Sequence, residues 1–571
     1  MPADDTHQVG AIARRSLSNI YLEGMNMRMP TRHISVSIVF FICLATGTIL
    51  MAQGTVITLL HVNDTHSHLD AGGPKDAILN GTVGGMAKAA TIIGMNRAFD
   101  QNVLLLHAGD VFHGDLFFNK YLGIPEFQLM KQLGFDAMAV GNHEFDLGPE
   151  ALAYALNTAY GSDPLPLLSA NLDLSGFPAL ATWIQPSLIK AVGGLKIGIF
   201  GMTVPGVPTS RPDPVKILGA DSVESLMAIA SDQVTNLRTL GSDVVICLSH
   251  LGYLYDQAMA TRIPGIDIIV GGHDHYEFEQ PVSFDNPSGK KTLYVQAGMH
   301  YQKIGKMHFS FDKGEVILLD YHLISVRETV EPAPQVQDAV NQLKAGIVQQ
   351  YGDVYGSPVA FALGDITMAN DPSQMARDSG MGNLITDALR SRTGTDLAIT
   401  ANGLISEGIV NGLVMGADIF RPVSFGYDPE TGLGLKIATF KMTGLELIKG
   451  LEIGLAFLGI NEDYFLQVSG LRFAYDPTKP IGQRVLPKYM FVNDQPINPA
   501  KAYTVTVNAG LAALLPQMGL KVMELQLLPD LEYTVLRDFI ARHPILYYQP
   551  QYRILELGMA QRLFSALSAL R

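Results

Sequence analysis

The stretch VITLLHVNDTH, residues 56–66, decides the fold class that the sequence predicts. Its first part, 56–62, is an apolar run without polar alternation, which is typical of a strand buried on both faces. Similar runs recur along the chain, with helix-like stretches such as 85–97 and 125–133 between them. This alternation predicts a layered α/β domain that extends to about residue 325. The later runs are residues 102–109, 136–141, 195–201, 243–249, 266–272 and 292–298.

The bulk composition limits the classes of function. The chain has 571 residues, 47% of them apolar, so we expect two or three globular domains. A net charge of −14 argues against binding to nucleic acid polymers, which needs a basic surface. A small anionic substrate is compatible with this charge if bound metal ions reverse the local field. The two cysteines, Cys43 and Cys247, predict no internal disulfide, and Cys247 lies in an apolar run.

The N-terminal segment predicts export to the periplasm or the outside of the cell. An apolar stretch over 34–52 follows Arg32 and His33 and ends in the small residue Ala52. This pattern is typical of a signal peptide, here over about 27–52, that is cut after Ala52. The alternative is an uncleaved membrane anchor, because the stretch is marginally long enough to span a membrane.

Five segments make up the predicted domain organisation. The stretch 330–357 opens with two prolines and continues in a helical pattern, which is typical of a helix that links two domains. The predicted segments are an N-terminal extension with the signal peptide (1–53), a first α/β domain (54–328), the linker helix (329–357), a second α/β domain (358–556) and a C-terminal tail (557–571).

Polar side chains that can bind metal follow five of the apolar runs. Because loops at the carboxyl ends of neighbouring parallel strands converge on one crevice, we expect these side chains to meet. The set combines imidazole, carboxylate and one amide, which suits two Zn²⁺, Mn²⁺, Fe²⁺ or Co²⁺ ions bridged by a carboxylate better than Ca²⁺. The candidate ligands are Asp64, His66, Asp110, Asn142, His250, His273 and His275.

Each polar cluster alone has a simpler interpretation. Asp and Asn after strands usually form turns or helix caps, and a single His is more often a surface or hydrogen-bonded residue. Five clusters after successive runs are harder to explain in that way. Glu144 is expected to lie behind the ligands or to face solvent. The histidines that keep the simpler interpretation are His61, His68, His107, His113 and His300.

Five motifs in this order resemble the calcineurin-like metallophosphoesterases, and more narrowly the exported 5′-nucleotidase and UDP-sugar hydrolase family. They are HVNDTHSHL (61–69), GDVFHGD (109–115), GNHEFDLG (141–148), SHLG (249–252) and GGHDH (271–275). The second domain resembles that family's C-terminal domain through MGNLITDAL (381–389), MTGLELIKGLE (442–452), LQVSGLRFAYD (466–476) and YTVTVN (503–508).

The resemblance implies a role for each candidate residue of the first domain. One metal ion would be bound by Asp64, His66 and His275, the other by Asn142, His250 and His273, with Asp110 as the bridge. His143 matches the family's catalytic histidine and Asp146 its partner. A carboxylate three positions on can reach back across one helical turn, which supports this pair.

The resemblance is weaker in the second domain, where the family's substrate-binding loops lie. Phe425 matches a stacking residue, and Arg377 lies near a substrate-binding arginine position. Ser406, by contrast, stands where the family has arginine, and ALLPQMGLKV (513–522) has no recognisable second stacking loop.

The sequence therefore predicts an exported dimetal phosphoesterase that hydrolyses a small-molecule phosphate ester of the nucleotide type. One alternative keeps the metal centre and changes the substrate to a cyclic nucleotide, a sugar phosphate or a sulfur-containing ester. A second alternative is an inactive binding protein on the same scaffold. The sequence leaves the oligomeric state open, and it predicts a membrane partner only if the N-terminal segment is retained.

Overall fold

The computed structural model describes residues 55–161, 163–205, 215–368 and 376–557. These residues belong to one compact unit. The predicted signal peptide and nearly all of the predicted C-terminal tail lie outside the described residues. Within the described ranges, no helix combines the length and the apolar character needed to cross a membrane. The division into two domains at 329–357 stays a prediction.

The first half of the chain alternates strands and helices, as its sequence predicts. Its strands are β1 (Val56–Val62), β2 (Gly72–Lys75), β3 (Gly81–Val83), β4 (Val103–His107), β5 (Ala137–Ala139), β6 (Leu167–Leu168), β7 (Leu172–Asp173), β8 (Ile184–Gln185), β9 (Ser187–Val192), β10 (Leu195–Thr203), β11 (Lys216–Ile217), β12 (Val244–His250), β13 (Ile268–Val270), β14 (Val282–Asp285), β15 (Lys291–Val295), β16 (Lys303–Asp312) and β17 (Glu315–Ser325). Its helices are α1 (Met86–Phe99), α2 (Leu116–Tyr121), α3 (Ile124–Gln132), α4 (Pro149–Tyr160), α5 (Pro178–Ala181), α6 (Val223–Thr239), α7 (Tyr253–Arg262) and α8 (Pro334–Tyr351).

Two mixed sheets form the centre of this half. The first has the order β17-β16-β1-β4-β5-β6-β8, and the second has the order β14-β15-β13-β12-β10-β9. Strands β1, β4, β5, β6 and β8 run parallel to one another, as do β10, β12, β13 and β15, whereas β16, β9 and β14 pair with them in the antiparallel direction. The strands that carry the candidate ligands therefore lie in two sheets, three adjacent strands in one and two in the other, and not in one continuous sheet.

The two sheets face each other across an apolar core. Alternate residues of β1 and β4, such as Ile57 and Leu104, pack against residues of β10 and β12, such as Ile199 and Ile246. The opposite faces of the sheets are covered by helices, α1, α3 and α4 on the first and α6 and α7 on the second. Because both faces of these strands are buried, they read as continuous apolar runs, and each fully buried Leu or Ile side chain contributes about 2 kcal/mol. The arrangement is a four-layered α/β sandwich, which confirms the predicted fold class.

The second half is also a mixture of helices and strands. Helix α8 leads into it and falls within the predicted linker 329–357. The strands are β18 (Pro358–Ala362), β19 (Leu397–Ala401), β20 (Gly412–Met415), β21 (Lys436–Thr443), β22 (Leu466–Ser469), β23 (Leu471–Tyr475), β24 (Phe491–Val492), β25 (Gln495–Pro496), β26 (Ala502–Asn508), β27 (Met523–Leu531), β28 (Ile545–Leu546) and β29 (Ile554–Glu556). The helices are α9 (Gly380–Thr393), α10 (Gly416–Phe420), α11 (Gly444–Ala456), α12 (Ala509–Leu514) and α13 (Glu532–Ala541).

The central sheet of the second half has the order β22-β19-β26-β21-β27. Its apolar side chains form a separate core with α11 and α12. A different cluster of buried residues runs from Leu60 in β1 through Val340 in α8 to Phe420 in α10. This shared cluster packs the second half against the first, and it brings the loops after β19 and α10 close to the ends of β1 and β4.

Candidate active site

The loops that follow β1, β4, β5, β12 and β13 meet at one end of the two sheets. This is the arrangement that the sequence predicts, although the strands come from two sheets. The structure brings all seven candidate ligands together, and six of them form two groups of three whose nitrogen and oxygen atoms lie within 4.8 Å of one another. The two groups are Asp64 with His66 and His275, and Asp110 with His250 and His273.

The first group places two imidazole nitrogens beside one buried carboxylate. His66 Nε2 lies 3.1 Å from His275 Nε2, and His275 Nε2 lies 3.5 Å from Asp64 Oδ1. His66 Nδ1 lies 3.0 Å from the carbonyl oxygen of Phe112, which only accepts hydrogen bonds. Nδ1 therefore carries the proton and the lone pair of Nε2 faces the group, as a metal-binding histidine requires.

In the second group, too, a backbone carbonyl oxygen orients a histidine ring so that its Nε2 faces the site. His250 Nδ1 lies 2.7 Å from the carbonyl oxygen of Ala108, so Nδ1 donates and Nε2 faces the site. His250 Nε2 lies 2.9 Å from Asp110 Oδ2 and 3.2 Å from Asn142 Oδ1. The amide of Asn142 therefore joins this group, as predicted. The donor set of each group fits a divalent ion of the Zn²⁺ or Mn²⁺ type.

The electrostatics of the two groups favour a bound cation. Burial lowers the pKa of His66 to about 3, which keeps this imidazole neutral and able to bind a metal. Burial would also lower the pKa of His250, but the carboxylates of Asp110 and Asp64 raise it to about 10. A negative potential strong enough to hold a proton there would also hold a divalent cation in place of that proton.

Backbone strain marks the same loops. A side chain other than glycine adopts a positive φ only at a cost of about 1–3 kcal/mol, and such residues cluster at functional sites. A Cβ atom at Gly141 would lie 2.1 Å from Asp110 Oδ1, so only glycine fits this turn out of β5. The candidate ligands with positive φ are Asp64 (50°), His66 (46°), Asp110 (59°), His273 (77°) and His275 (59°).

A third group, formed by His68, His300 and Glu407, has ligand atoms at similar spacing. The rings of His68 and His300 are stacked, with centroids 3.6 Å apart and planes at 13°. A metal ion lies in the ring plane of each histidine that binds it, and one ion cannot lie in two parallel planes at this separation. The group is therefore a stacked pair with an ion contact from His68 Nε2 to Glu407 Oε2 at 3.3 Å. It joins the two halves of the chain.

The predicted pair of His143 and Asp146 lies beside the ligand groups. His143 begins a short 3-10 helix over His143–Phe145, and this turn places its Nδ1 2.5 Å from Asp146 Oδ2. The backbone N–H of His143 donates to Asp110 Oδ1 at 2.9 Å. Its ring meets the ring of His66 edge-on, with centroids 5.3 Å apart. Burial alone would lower the pKa of His143, but the carboxylates of Asp146 and Asp110 raise it to about 10.

Glu144 is fully buried behind the candidate ligand Asp110, so the structure selects this one of its two predicted positions and excludes the solvent-facing one. Its carboxylate accepts hydrogen bonds from the backbone N–H groups of Gly141 at 2.7 Å and Val111 at 2.7 Å, and from that of Asp110 at 3.2 Å. It therefore ties the loop after β4 to the loop after β5. Local sequence carries no signal for this role, because the loop after β4 that it binds lies 33 positions away at Val111.

From the sequence, His113 is expected to be a surface or hydrogen-bonded residue, and the structure places it in the site. It is 2% exposed, and its Nε2 lies 3.0 Å from Asp146 Oδ2. The same oxygen atom of Asp146 therefore contacts both His143 and His113. The sequence offers one signal for this placement, since His113 lies inside the motif 109–115 that supplies Asp110.

The two predicted substrate-binding residues differ in their placement. The ring of Phe425 lies 5.5 Å from the ring of His143, so it faces the site across the contact between the two halves. Arg377 is buried and forms ion pairs with Glu462 at 3.0 Å and Glu556 at 2.9 Å. These carboxylates already neutralise its charge.

The altered loop around Ser406 also lies at this contact. Ser406 Oγ lies 2.9 Å from Ser424 Oγ, next to Phe425. Nearby, Arg421 Nε donates to Asp115 Oδ2 at 2.7 Å, and both residues are buried. The loops of the second half are therefore held against the site by buried polar contacts.

This chain is similar to known proteins over most of its length. Residues 57–277 match the family model of the calcineurin-like phosphoesterases, and residues 358–513 match that of the 5′-nucleotidase C-terminal domain. A snake venom 5′-nucleotidase of Naja atra is 30% identical over 80% of this chain and 90% of its own length. The crystal structure of a 5′-nucleotidase precursor from Thermus thermophilus is 30% identical, covers 88% of this chain and 99% of its own, and has a TM-score of 0.76. The trifunctional nucleotide phosphoesterase protein YfkN of Bacillus subtilis is 28% identical over 75% of this chain, which spans 30% of YfkN's length.

Proposed function

Because the chain belongs to the 5′-nucleotidase family and carries its calcineurin-like phosphoesterase domain, we propose that it hydrolyses nucleotide phosphate monoesters with a pair of divalent metal ions. The observation that carries this proposal is the convergence of the two ligand groups beside the His143–Asp146 pair. Membership of this family identifies the chain as a phosphoric ester hydrolase.

The two ligand groups would hold one ion each, with Asp110 between them. Divalent ions bound here supply Lewis acidity, which lowers the pKa of water and neutralises charge on a phosphoryl group. The chain's own contribution is to hold the ligands before the ions bind. Glu144 fixes the loop of Asp110, and the carbonyl oxygens of Phe112 and Ala108 set the tautomers of His66 and His250. The proposed metals are Zn²⁺, Mn²⁺, Co²⁺ or Fe²⁺.

His143 would act on the phosphate ester directly. Asp146 binds its Nδ1, which leaves Nε2 to face the site, and the raised pKa keeps a proton on that nitrogen near neutral pH. Nε2 can then donate a hydrogen bond or a proton to a phosphoryl or leaving-group oxygen. The backbone contact from His143 to Asp110 keeps this donor in register with the ligands.

The second half would bind the rest of the substrate. Phe425 supplies a ring near His143 on which a nucleoside base can stack. A second candidate substrate class is a phosphate ester without a nucleoside. It is favoured by the ion pairs that neutralise Arg377 and by Ser406 in place of an arginine, since both reduce the number of positive charges that face the substrate.

We also propose that the protein is exported. The apolar stretch over 34–52 supports this, and one relative is a venom enzyme. Comparison of the N-terminus of the purified mature protein with residue 53 tests the proposed cut after Ala52.

The function is tested with a substrate panel. The purified protein is stripped of metal, reloaded separately with Mn²⁺, Zn²⁺ or Co²⁺, and assayed with AMP, UDP-glucose, a 2′,3′-cyclic nucleotide and p-nitrophenyl phosphate. We expect metal-dependent phosphate release, fastest with AMP. No hydrolysis with any metal would overturn the proposal, and equal rates on AMP and p-nitrophenyl phosphate would favour the second substrate class.

A further inference from the structure

We propose that His113 is a positioning residue. It couples the position of Ser424 and Phe425 to the orientation of the His143 ring. This inference rests on the proposed function, because it assumes that His143 acts on the substrate. It concerns a residue that neither the ligand set nor the His143–Asp146 pair includes.

The first observation is a shared oxygen atom. Asp146 Oδ2 lies 2.5 Å from His143 Nδ1 and 3.0 Å from His113 Nε2. His113 Nε2 has no hydrogen-bond partner of good geometry, so its 3.0 Å approach to Asp146 is a close polar contact and not an aligned hydrogen bond. A carboxylate that meets two imidazoles on the same oxygen has less freedom to rotate than one that meets a single imidazole. His113 therefore restricts the group that orients His143.

The second observation is the partner of the other ring nitrogen. His113 Nδ1 lies 3.4 Å from the carbonyl oxygen of Ser424, which is a long contact to a residue 311 positions away. Ser424 is fully buried, and its hydroxyl group meets that of Ser406 at 2.9 Å. The chain of contacts thus runs from Ser406 through Ser424, His113 and Asp146 to His143.

The third observation is the rigidity of His113 itself. Its φ of 64° lies in the left-handed region, and the next residue, Gly114, has a φ of 97°. A Cβ atom at Gly114 would lie 2.5 Å from the carbonyl oxygen of His66, so this turn packs closely against the loop after β1 and only glycine fits it. The ring of His113 packs against the ring of Phe118 at a centroid distance of 4.5 Å. A side chain held in this way transmits a displacement and does not absorb it.

Phe425 would link this coupling to substrate binding. Its ring lies 6.1 Å from the ring of His113 and 5.5 Å from that of His143. The segment that would hold the substrate is therefore also the segment that contacts His113. When Ser424 and Phe425 lie beside His113, His113 holds the Asp146 carboxylate in place and His143 has its catalytic orientation. When they are displaced, Asp146 loses one of its two constraints.

Three substitutions separate the contacts of His113. His113→Phe keeps a ring and removes both polar contacts. His113→Gln keeps an N–H donor near the position of Nε2, toward Asp146, whereas His113→Asn keeps one near the position of Nδ1, toward Ser424. We expect kcat on AMP to fall about tenfold in His113→Phe, with KM changed less than about threefold, and to recover mainly in His113→Gln. His61→Gln, at a buried histidine that contacts Tyr321, serves as the control and should keep the wild-type kcat.

A second readout does not depend on activity. In protein labelled with ¹⁵N-histidine, the short bond between His143 and Asp146 should give a far-downfield proton signal, assigned by its loss in His143→Ala. We expect this signal to shift or broaden in His113→Phe and to return in His113→Gln. If the wild-type protein shows no phosphoesterase activity, the proposed function fails and the signal still tests the coupling. If the protein is active and all three variants keep both the wild-type kcat and the wild-type signal, the coupling is wrong. Equal losses of kcat in all three variants would also overturn it, because they would show a purely structural role.

Discussion

Arg421 Nε lies 2.7 Å from Asp115 Oδ2, and this buried ion pair joins the two halves of the chain. Both side chains are at most 4% exposed. Asp115 belongs to the motif that also carries Asp110 and His113, so the pair fixes the loop after β4 against the second half. This buried pair is costly to break, because the Arg421 guanidinium then keeps only the longer contact of its Nη1 with Asp418 Oδ1 at 3.5 Å.

The first prediction concerns this pair. Asp115→Asn should lower the free energy of unfolding by about 3–5 kcal/mol, since it leaves the Arg421 guanidinium buried and less well paired. Chemical denaturation measures the change. The matched control is Glu224→Gln, which breaks the exposed pair with Arg262 and should cost less than about 1 kcal/mol. Similar losses in the two variants would contradict the role of Asp115.

The second prediction concerns His143. His143→Ala should reduce kcat about 10²–10⁴-fold while leaving the bound metal content unchanged, because His143 is not one of the proposed ligands and its hydrogen bond to Asp110 is made by its backbone N–H. Steady-state kinetics and elemental analysis of the same preparation provide the two measurements. His322→Ala, at a half-exposed histidine on β17, is the control and should be fully active. An active His143→Ala variant would exclude the proposed role.

The third prediction concerns Glu144. Glu144→Gln replaces one of the two oxygens that accept backbone N–H groups by an N–H₂ group, which cannot accept. We expect metal affinity to fall about 10–100-fold, because the loop that carries Asp110 loses its anchor. Titration of the metal-free protein with Mn²⁺, followed by activity and by calorimetry, measures the affinity. Glu315→Gln on the exposed start of β17 should bind Mn²⁺ as the wild type does.

The fourth prediction concerns Phe425. Phe425→Ala should raise KM for AMP at least about tenfold, because a stacked base contributes about 1–3 kcal/mol. The KM for p-nitrophenyl phosphate should change much less, since this substrate has no base. Equal changes in KM for both substrates would show that Phe425 supports the structure of the site and does not recognise the base.

The fifth prediction concerns pH. Burial raises the pKa of the Glu532 carboxyl group from 4.5 to about 7. A raised folded-state pKa contributes stability that is fully present below the unfolded pKa and is lost as the pH rises through the folded pKa, so the relevant window is about pH 4.5–7. Glu532→Gln stays neutral and can still accept a hydrogen bond from Asn508. Its free energy of unfolding should exceed that of the wild type by up to about 3 kcal/mol near pH 8, and the difference should vanish near pH 4.5. Urea denaturation at the two pH values checks both statements.

Much of the fold follows from local pattern. The seven apolar runs each contain a strand, and the linker pattern contains α8, because burial on both faces and helical periodicity are properties of short segments. The sorting of these strands into two facing sheets could not be predicted in the same way. It depends on which side chains pack across the apolar core, and residues such as Ile57 and Ile246 are nearly 200 positions apart.

The active site likewise has features that the sequence predicts and features that it does not. The seven candidate ligands and the pair of His143 and Asp146 follow from motifs of a few residues, and the structure brings all of them together. The placement of Arg377 in a pair of ion contacts did not follow, because its partners Glu462 and Glu556 are distant in the sequence.

The sequence by itself determined the fold class, the family and the residues that converge, since each rests on residue types at short, fixed spacings. Only the tertiary structure decided that Glu144 holds two loops, that His68 and His300 stack and do not share an ion, and that Ser424 reaches His113. These contacts join segments up to 311 positions apart, and their geometry is set by the packing of the two halves. Local periodicity and spacing carry no information about such packing, because many arrangements of the same strands would satisfy them equally.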